Sequence, residues 1–67
     1  MNLIINGRQT EIAAHTSLRG ILDTMEIQSD RGIAIAVNGE VVPGRRWPDV
    51  KVEEGDSVEI IRATQGG

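Results

Sequence analysis

The spacing of hydrophobic residues along the chain predicts several short strands and one helix. Apolar and polar side chains alternate in separate segments, which is the period of a half-buried β-strand. The pairs Asn6-Gly7 and Asn38-Gly39 follow two of these segments and are strong hairpin signals, because both turn residues tolerate positive φ. The predicted strands are residues 1–6, 8–12, 33–37, 40–42 and 57–62.

The helix is predicted to begin after Thr16 and Ser17, because either hydroxyl can accept a backbone N–H bond at a helix N-terminus. The apolar residues that follow have the i, i+3, i+4, i+7 spacing of one helical face: Leu18, Ile21, Leu22 and Met25. Gly20 destabilises this helix by about 1 kcal/mol relative to alanine. A close approach of the helix to another group at this position would explain why a glycine is present. Farther along, Trp47 is expected to close one end of the core within an irregular segment at 45–52.

Strands grouped around a single helix favour an α+β fold over an alternating α/β fold. One helix is able to cover one face of a mixed sheet of four to five strands, which is the β-grasp arrangement of ubiquitin-like proteins. The last five residues show no hydrophobic pattern and are expected to be flexible. The sequence therefore predicts a single β-grasp domain at 1–62, with the helix packed on one face of the sheet, and a C-terminal tail at 63–67.

Composition excludes several functional classes. A chain of 67 residues offers one small domain with little material for the walls of a deep enzyme pocket. The absence of cysteine excludes disulfides and a side-chain persulfide, and the single histidine, His15, argues against a metal site. A net charge of −3 argues against nucleic-acid binding. No apolar run approaches the ~20 residues of a membrane span, and no signal peptide is visible, so a cytoplasmic protein is expected.

The end of the chain carries the one group with a clear chemical use. Two consecutive glycines, Gly66-Gly67, end the chain, and chance alone gives such an ending with a probability of roughly 0.5%. A carboxylate reacts poorly until it is joined to AMP, so it must reach ATP inside another enzyme. A tail without bulky side chains suits a narrow channel, which Gly66, Gln65 and Thr64 are expected to enter behind the carboxylate of Gly67. A sulfur donor that displaces AMP would leave a thiocarboxylate on Gly67.

A docking surface is predicted on the sheet face opposite the helix. Strand alternation places Ile4, Ala34, Ala36 and Ile61 on that face, with Glu59 at the edge of the patch. Ile4 and Ile61 belong to the first and last strands, which are neighbours in a β-grasp sheet, so they are expected to form a small apolar patch at the base of the tail. Such patches mark interaction sites, although single exposed apolar residues are also ordinary. A nearby acidic cluster is either a solvated turn or a second docking surface: Glu53, Glu54, Asp56 and Glu59.

Three segments, in this order and at this length, are similar to one known family. They are Ala36-Val-Asn-Gly-Glu-Val-Val-Pro43 with Arg45 and Trp47 after it, Glu54-Gly-Asp-Ser-Val-Glu-Ile-Ile-Arg-Ala63, and the terminal Gly66-Gly67. On these motifs the chain resembles, over its whole length, the ThiS family of sulfur carriers in thiamine biosynthesis.

This resemblance implies a non-enzymatic carrier with no bound cofactor or metal. Gly67 would be adenylated by an E1-like adenylyltransferase, ThiF, at the expense of ATP. It would then be converted to a 1-thioglycine thiocarboxylate with sulfur from a donor such as a cysteine desulfurase. The sulfur would pass to the thiazole synthase ThiG. The working residues of the family carry over only to Gly66 and Gly67, because Thr64-Gln65 is polar where many relatives are more apolar.

Two alternatives stay open at this point. The small subunit of molybdopterin synthase shares the fold, the Gly-Gly ending and thiocarboxylate chemistry. That subunit tends to be longer and often carries Phe near its end, whereas this chain has no Phe. A ubiquitin-like protein modifier is the other alternative, although Lys51 is the only lysine through which chains of such tags could be built. The resemblance favours the thiamine carrier.

Overall fold

Five strands form one mixed sheet, and a single helix packs on one face of it. The computed structural model describes residues 1–27 and 31–62. Its elements are β1 (Asn2–Ile5), β2 (Arg8–Glu11), α1 (Leu18–Thr24), β3 (Ile33–Val37), β4 (Glu40–Val42), a short 3₁₀-helix (Gly44–Arg46) and β5 (Ser57–Arg62). The strand order is β2-β1-β5-β3-β4, in which only the β1–β5 pair is parallel. The predicted α+β class and β-grasp fold are confirmed.

Both Asn-Gly pairs form the predicted hairpin turns. Asn6 and Gly7 have φ angles of 52° and 82°, and Asn38 and Gly39 have φ angles of 51° and 85°. Positive φ at both central residues matches the right-handed twist of the flanking strands, and Asn and Gly reach it at low cost. The two turns fix the register of β1 with β2 and of β3 with β4.

The core lies between α1 and the sheet. Trp47 is 3% exposed, and its indole Nε1 donates a hydrogen bond to the carbonyl of Val42 at 2.9 Å, so its predicted place at one end of the core is confirmed. The core cluster consists of Leu3, Ile5, Ile12, Leu18, Ile21, Leu22, Ile27, Ile35, Trp47, Val52, Val58 and Ile60.

The start of α1 explains the glycine inside it. Ser17, not Thr16, is the N-cap, and its Oγ accepts the backbone N–H of Gly20 at 3.1 Å. The Thr16 hydroxyl donates instead to the carbonyl of Ala13. A Cβ on Gly20 would lie 2.7 Å from the Thr16 methyl group, which is the close approach that the sequence left unidentified.

Met25 does not share the buried face of the helix, and that prediction is wrong. The helix ends at Thr24, Met25 is 39% exposed, and Glu26 adopts a φ of 61°. The N–H of Ile27 bonds the carbonyl of Leu22, and the N–H of Glu26 bonds that of Asp23, which is the pattern of a Schellman C-terminus. The reversal turns Met25 outward and places Ile27 in the core.

Candidate functional site

The predicted reactive residue and its neighbours lie outside the described residues. These are Gly67, Gly66, Gln65 and Thr64, within the predicted tail at 63–67. The structure describes the strand that leads to them, β5, and the sheet face beside it. The candidate site is therefore the end of β5 and the surface around it.

β5 is the central strand of the sheet and is held firmly at its start. It pairs with β3 over five residues, from Val58 to Arg62, and with β1 at Ser57 and Val58. Val58 is fully buried and Ile60 is 8% exposed, so both anchor the strand to the core as predicted. The last strand before the reactive end is thus a rigid part of the domain.

The turn at Asn6 extends the contact of β1 with β5. The backbone N–H of Asn6 donates to the carbonyl of Val58 at 2.9 Å. The side-chain Oδ1 of Asn6 then accepts the N–H of Ile60 at 2.8 Å, where a longer parallel strand would have offered a carbonyl. An asparagine side chain therefore ends the β1–β5 pairing at Ile60.

The turn at Asn38 holds the other end of β5. Asn38 Oδ1 accepts the N–H of Ser57 at 3.0 Å, and its Nδ2 donates to Asp56 Oδ1 at 3.1 Å. The second carboxylate oxygen of Asp56 accepts the N–H of Glu53 at 2.8 Å. In these contacts Asp56 stabilises a turn, and so does Glu54, whose carboxylate accepts the N–H of Asn2 at 3.0 Å. Two members of the acidic cluster thus have a structural role.

The sheet face opposite the helix carries an apolar patch beside the end of β5. Ile61 is 57% exposed and pairs with Ala34 on β3. Ala36 lies between Glu59 and Val41 in adjacent strands, and these larger neighbours leave it only 8% exposed. Val41 is 70% exposed and extends the patch to the edge of the sheet. We call these residues, Ala34, Ala36, Val41 and Ile61, the outer patch.

The arrangement of this face differs from the predicted one in two respects. Ile4, 37% exposed, lies beside Ser57 and not beside Ile61. Ser57 and Ile61 are four residues apart, or about 13 Å along the strand, with Glu59 between them. Ile4 and Ile61 therefore do not touch across the strands, whereas Glu59 lies beside Ala36 and Ile61 at the border of the outer patch. Val41 was missed, although its place in β4 beside the partly buried Val42, which packs against the core, could have indicated that Val41 faces outward.

An open groove lies at the opposite end of the sheet. It has a volume of about 350 Å³ between the β3–β4 turn and the 3₁₀-helix. Its lining residues are Val37, Asn38, Glu40, Val41, Val42, Pro43, Arg46 and Val50. The groove lies at the Asn38 end of β3, whereas β5 leaves the sheet beside Ile33 at the other end, so it is remote from the end of β5 although it shares Val41 with the outer patch.

Other kinds of site receive no support from the described residues. Within 1–27 and 31–62, no three His, Cys, Asp or Glu side chains are grouped to hold a metal ion. The same part of the chain contains no helix that is long and apolar enough to cross a membrane.

Comparison with known proteins identifies the family. A model of the ThiS family matches residues 3–67. The sulfur carrier protein ThiS of Escherichia coli is 27% identical over 67 residues, which is 100% of both chains. A thiazole synthase of Paramagnetospirillum magneticum is 33% identical over 67 residues, but the match spans only 20% of that larger protein.

A solved structure agrees with the same assignment. The thiamine biosynthesis protein ThiS from Geobacter metallireducens has a TM-score of 0.85 at 26% identity and covers 100% of both chains. These matches favour the thiamine branch over the two alternatives. The chain belongs to the ThiS family, the sulfur carriers of thiamine biosynthesis that its sequence motifs indicate.

Proposed function

We propose that this chain carries sulfur on its C-terminal glycine. The Gly67 carboxylate attacks the α-phosphate of ATP in an E1-like adenylyltransferase of the ThiF type, which forms an acyl-adenylate and releases pyrophosphate. A donor such as a cysteine desulfurase carries its sulfur as a persulfide, whose outer sulfur displaces AMP and forms an acyl disulfide. A thiol reductant then cleaves the S–S bond, is itself oxidised to a disulfide, and leaves the thiocarboxylate. A thiazole synthase of the ThiG type receives this sulfur. The chain is thus a substrate of the first enzyme and a co-substrate of the last, and it binds no cofactor.

The extent of the family match supports this proposal most directly. It covers residues 3–67 and therefore includes the terminal Gly66-Gly67 on which the chemistry depends. In this proposal the folded part at 1–62 serves as a handle that partners recognise. The segment at 63–67, at about 3.3–3.6 Å for each extended residue, is long enough to place its carboxylate some 17 Å beyond that handle.

The outer patch is the surface that we propose for partner docking, together with Glu59 and the more distant Ile4. Its Ile61 lies on β5, the strand that leads to Gly67, and its exposed side chains, Ile61 and Val41, are large and apolar. Burial of such side chains stabilises a complex by about 25 cal/mol for each Å² removed from water. The adenylyltransferase and the thiazole synthase would use this surface one after the other, because one patch contacts one protein at a time.

Intact mass spectrometry tests the proposed chemistry. The protein is incubated with its cognate adenylyltransferase, ATP and a sulfur source, and the expected product is heavier by the exchange of one oxygen for sulfur. Omission of ATP is the control and should leave the mass unchanged. An unmodified protein in the complete reaction would contradict the proposal. Copurification with a molybdopterin-synthase large subunit, or a ladder of protein conjugates, would favour one of the alternatives.

A further inference from the structure

The second half of β5 has a neighbouring strand on one side only. On the β3 side its pairing continues to Arg62, which lies opposite Ile33. On the β1 side the strand pairs end at Val58, and the Asn6 side chain makes the last contact, at Ile60. β1 then turns away through Gly7, where an added Cβ would meet no atom within 4 Å. Among the described residues, no strand pairs with Ile60, Ile61 or Arg62 on this side beyond the Asn6 side chain, and we call this position the open lane.

The hydrogen-bond pattern shows which backbone groups face the open lane. The N–H of Asn38 bonds the carbonyl of Ser57, so residues 57, 59 and 61 direct their backbone groups to β3. The N–H of Asn6 bonds the carbonyl of Val58, so the even-numbered residues direct theirs to the β1 side. The carbonyl of Ile60 and both backbone groups of Arg62 therefore point into the open lane.

We propose that an extended segment of the adenylyltransferase enters the open lane and pairs with Ile60 and Arg62 as an added strand. This inference rests on the proposed function, because the partner is the enzyme that activates Gly67. Unpaired main-chain donors and acceptors in a row are best satisfied by another main chain, which is the basis of strand addition at sheet edges. The contact would hold β5 immediately before the segment that must enter the enzyme.

The place of the open lane favours the adenylyltransferase over a second copy of this chain. The free groups belong to Ile60 and Arg62 at the end of β5, and only four residues lie between Arg62 and Gly67. Any protein that takes Gly67 into a channel must therefore come within a few residues of this lane. The two outer edges of the sheet, on β2 and β4, are each separated from β5 by another strand and have no such link to the reactive end.

A proline at position 62 tests the proposal. Arg62→Pro removes the N–H that faces the open lane and fills the lane with the proline ring, while no ladder bond to β3 is lost. Arg62→Ala is the matched control, since it removes the side chain and keeps the N–H. Gln9→Pro is a second control, because β2 also directs that N–H away from its partner strand. All three variants are expected to melt as the wild type does.

Binding to the adenylyltransferase and ATP–pyrophosphate exchange are then measured. Arg62→Pro is expected to weaken binding by roughly tenfold or more, as the loss of a main-chain hydrogen bond implies. Arg62→Ala and Gln9→Pro should bind within about twofold of the wild type. Equal binding by Arg62→Pro and Arg62→Ala would overturn the proposal. If the wild type is not adenylated at all, it is the proposed function that fails.

Amide hydrogen exchange on the wild type gives an answer that needs no variant. The Arg62 N–H should exchange rapidly in the free protein and become protected when the adenylyltransferase binds, whereas the Gln9 N–H should exchange rapidly in both states. An Arg62 N–H that stays unprotected in the complex would overturn the proposal. Protection that depends on the concentration of this chain alone would assign the lane to a second copy and would also overturn it.

Discussion

Asn38→Asp should destabilise the protein far more than the same substitution at Asn6. In the wild type, Asn38 Nδ2 donates to Asp56 Oδ1 at 3.1 Å. An aspartate at 38 loses this bond, which is worth about 1 kcal/mol, and sets two carboxylates against each other. Two like charges about 4 Å apart repel by about 1 kcal/mol in water, the relevant limit for an exposed pair. The expected loss is therefore about 2 kcal/mol.

Asn6→Asp is the matched control. Asn6 also opens an Asn-Gly turn at nearly the same φ, and its Oδ1 accepts the N–H of Ile60, which an aspartate oxygen can do equally well. The change in stability there should stay within about 0.5 kcal/mol. A domain of this size is stabilised by only about 3–10 kcal/mol, so a loss of 2 kcal/mol is easily measured by urea denaturation.

A double substitution isolates the charge repulsion. In Asn38→Asp with Asp56→Asn, the amide at 56 donates to the carboxylate at 38, and its carbonyl oxygen remains available to the N–H of Glu53. The double variant should recover most of the loss, which a double-mutant cycle would report as a coupling of about 1–2 kcal/mol. The reasoning would be refuted if Asn38→Asp and Asn6→Asp were equally stable, or if the double variant were no more stable than Asn38→Asp.

Two further predictions concern function. Deletion of Gly67 should leave the melting temperature unchanged. It should abolish thiocarboxylate formation, because it moves the carboxylate back by about 3.5 Å. Modification of the shortened protein at the wild-type rate would show that the reach of the chain end does not matter. Ile61→Asp should alter stability by less than about 0.5 kcal/mol, since the side chain is 57% exposed, and should weaken binding to both partners at least tenfold by calorimetry. The control Met25→Asp, which is remote from the outer patch, should leave binding to both partners unchanged. An Ile61→Asp variant that unfolds would contradict the exposure of Ile61.

Most of the fold could be predicted because local signals agree with the tertiary arrangement. Alternation gave the faces of β1 and β5 correctly, since Leu3, Ile5, Val58 and Ile60 all pack in the core. Met25 was misplaced because periodicity alone does not report where a helix ends. Glu26 takes the left-handed conformation that usually calls for glycine, so the sequence carries no typical stop signal there.

The surface was harder to predict than the core because it depends on register between strands. Ile4 and Ile61 point to the same face, as alternation indicates, but the offset of the parallel β1–β5 pair separates them. Nothing in either strand alone specifies that offset. The exposure of Val41 likewise depends on Ala36, its small neighbour across the β3–β4 pair. The open lane follows from the length of β1, which ends at Ile5, opposite Val58 and four residues before the end of β5.

The family motifs describe the handle and say little about the chemistry. Asn38 and Asp56, which belong to the two longest motifs, hydrogen-bond each other, and Val42 accepts the indole N–H of Trp47. These residues therefore stabilise turns and close the core. A terminal carboxylate is present in every protein chain, so its reactivity must be supplied by the enzyme that binds it. In the proposed function, the folded domain contributes a surface that the enzyme would recognise and a fixed strand from which the reactive end would begin. For this reason we expect substitutions in the outer patch and the open lane, rather than at Asn38, Asp56 or Trp47, to weaken binding without changing stability.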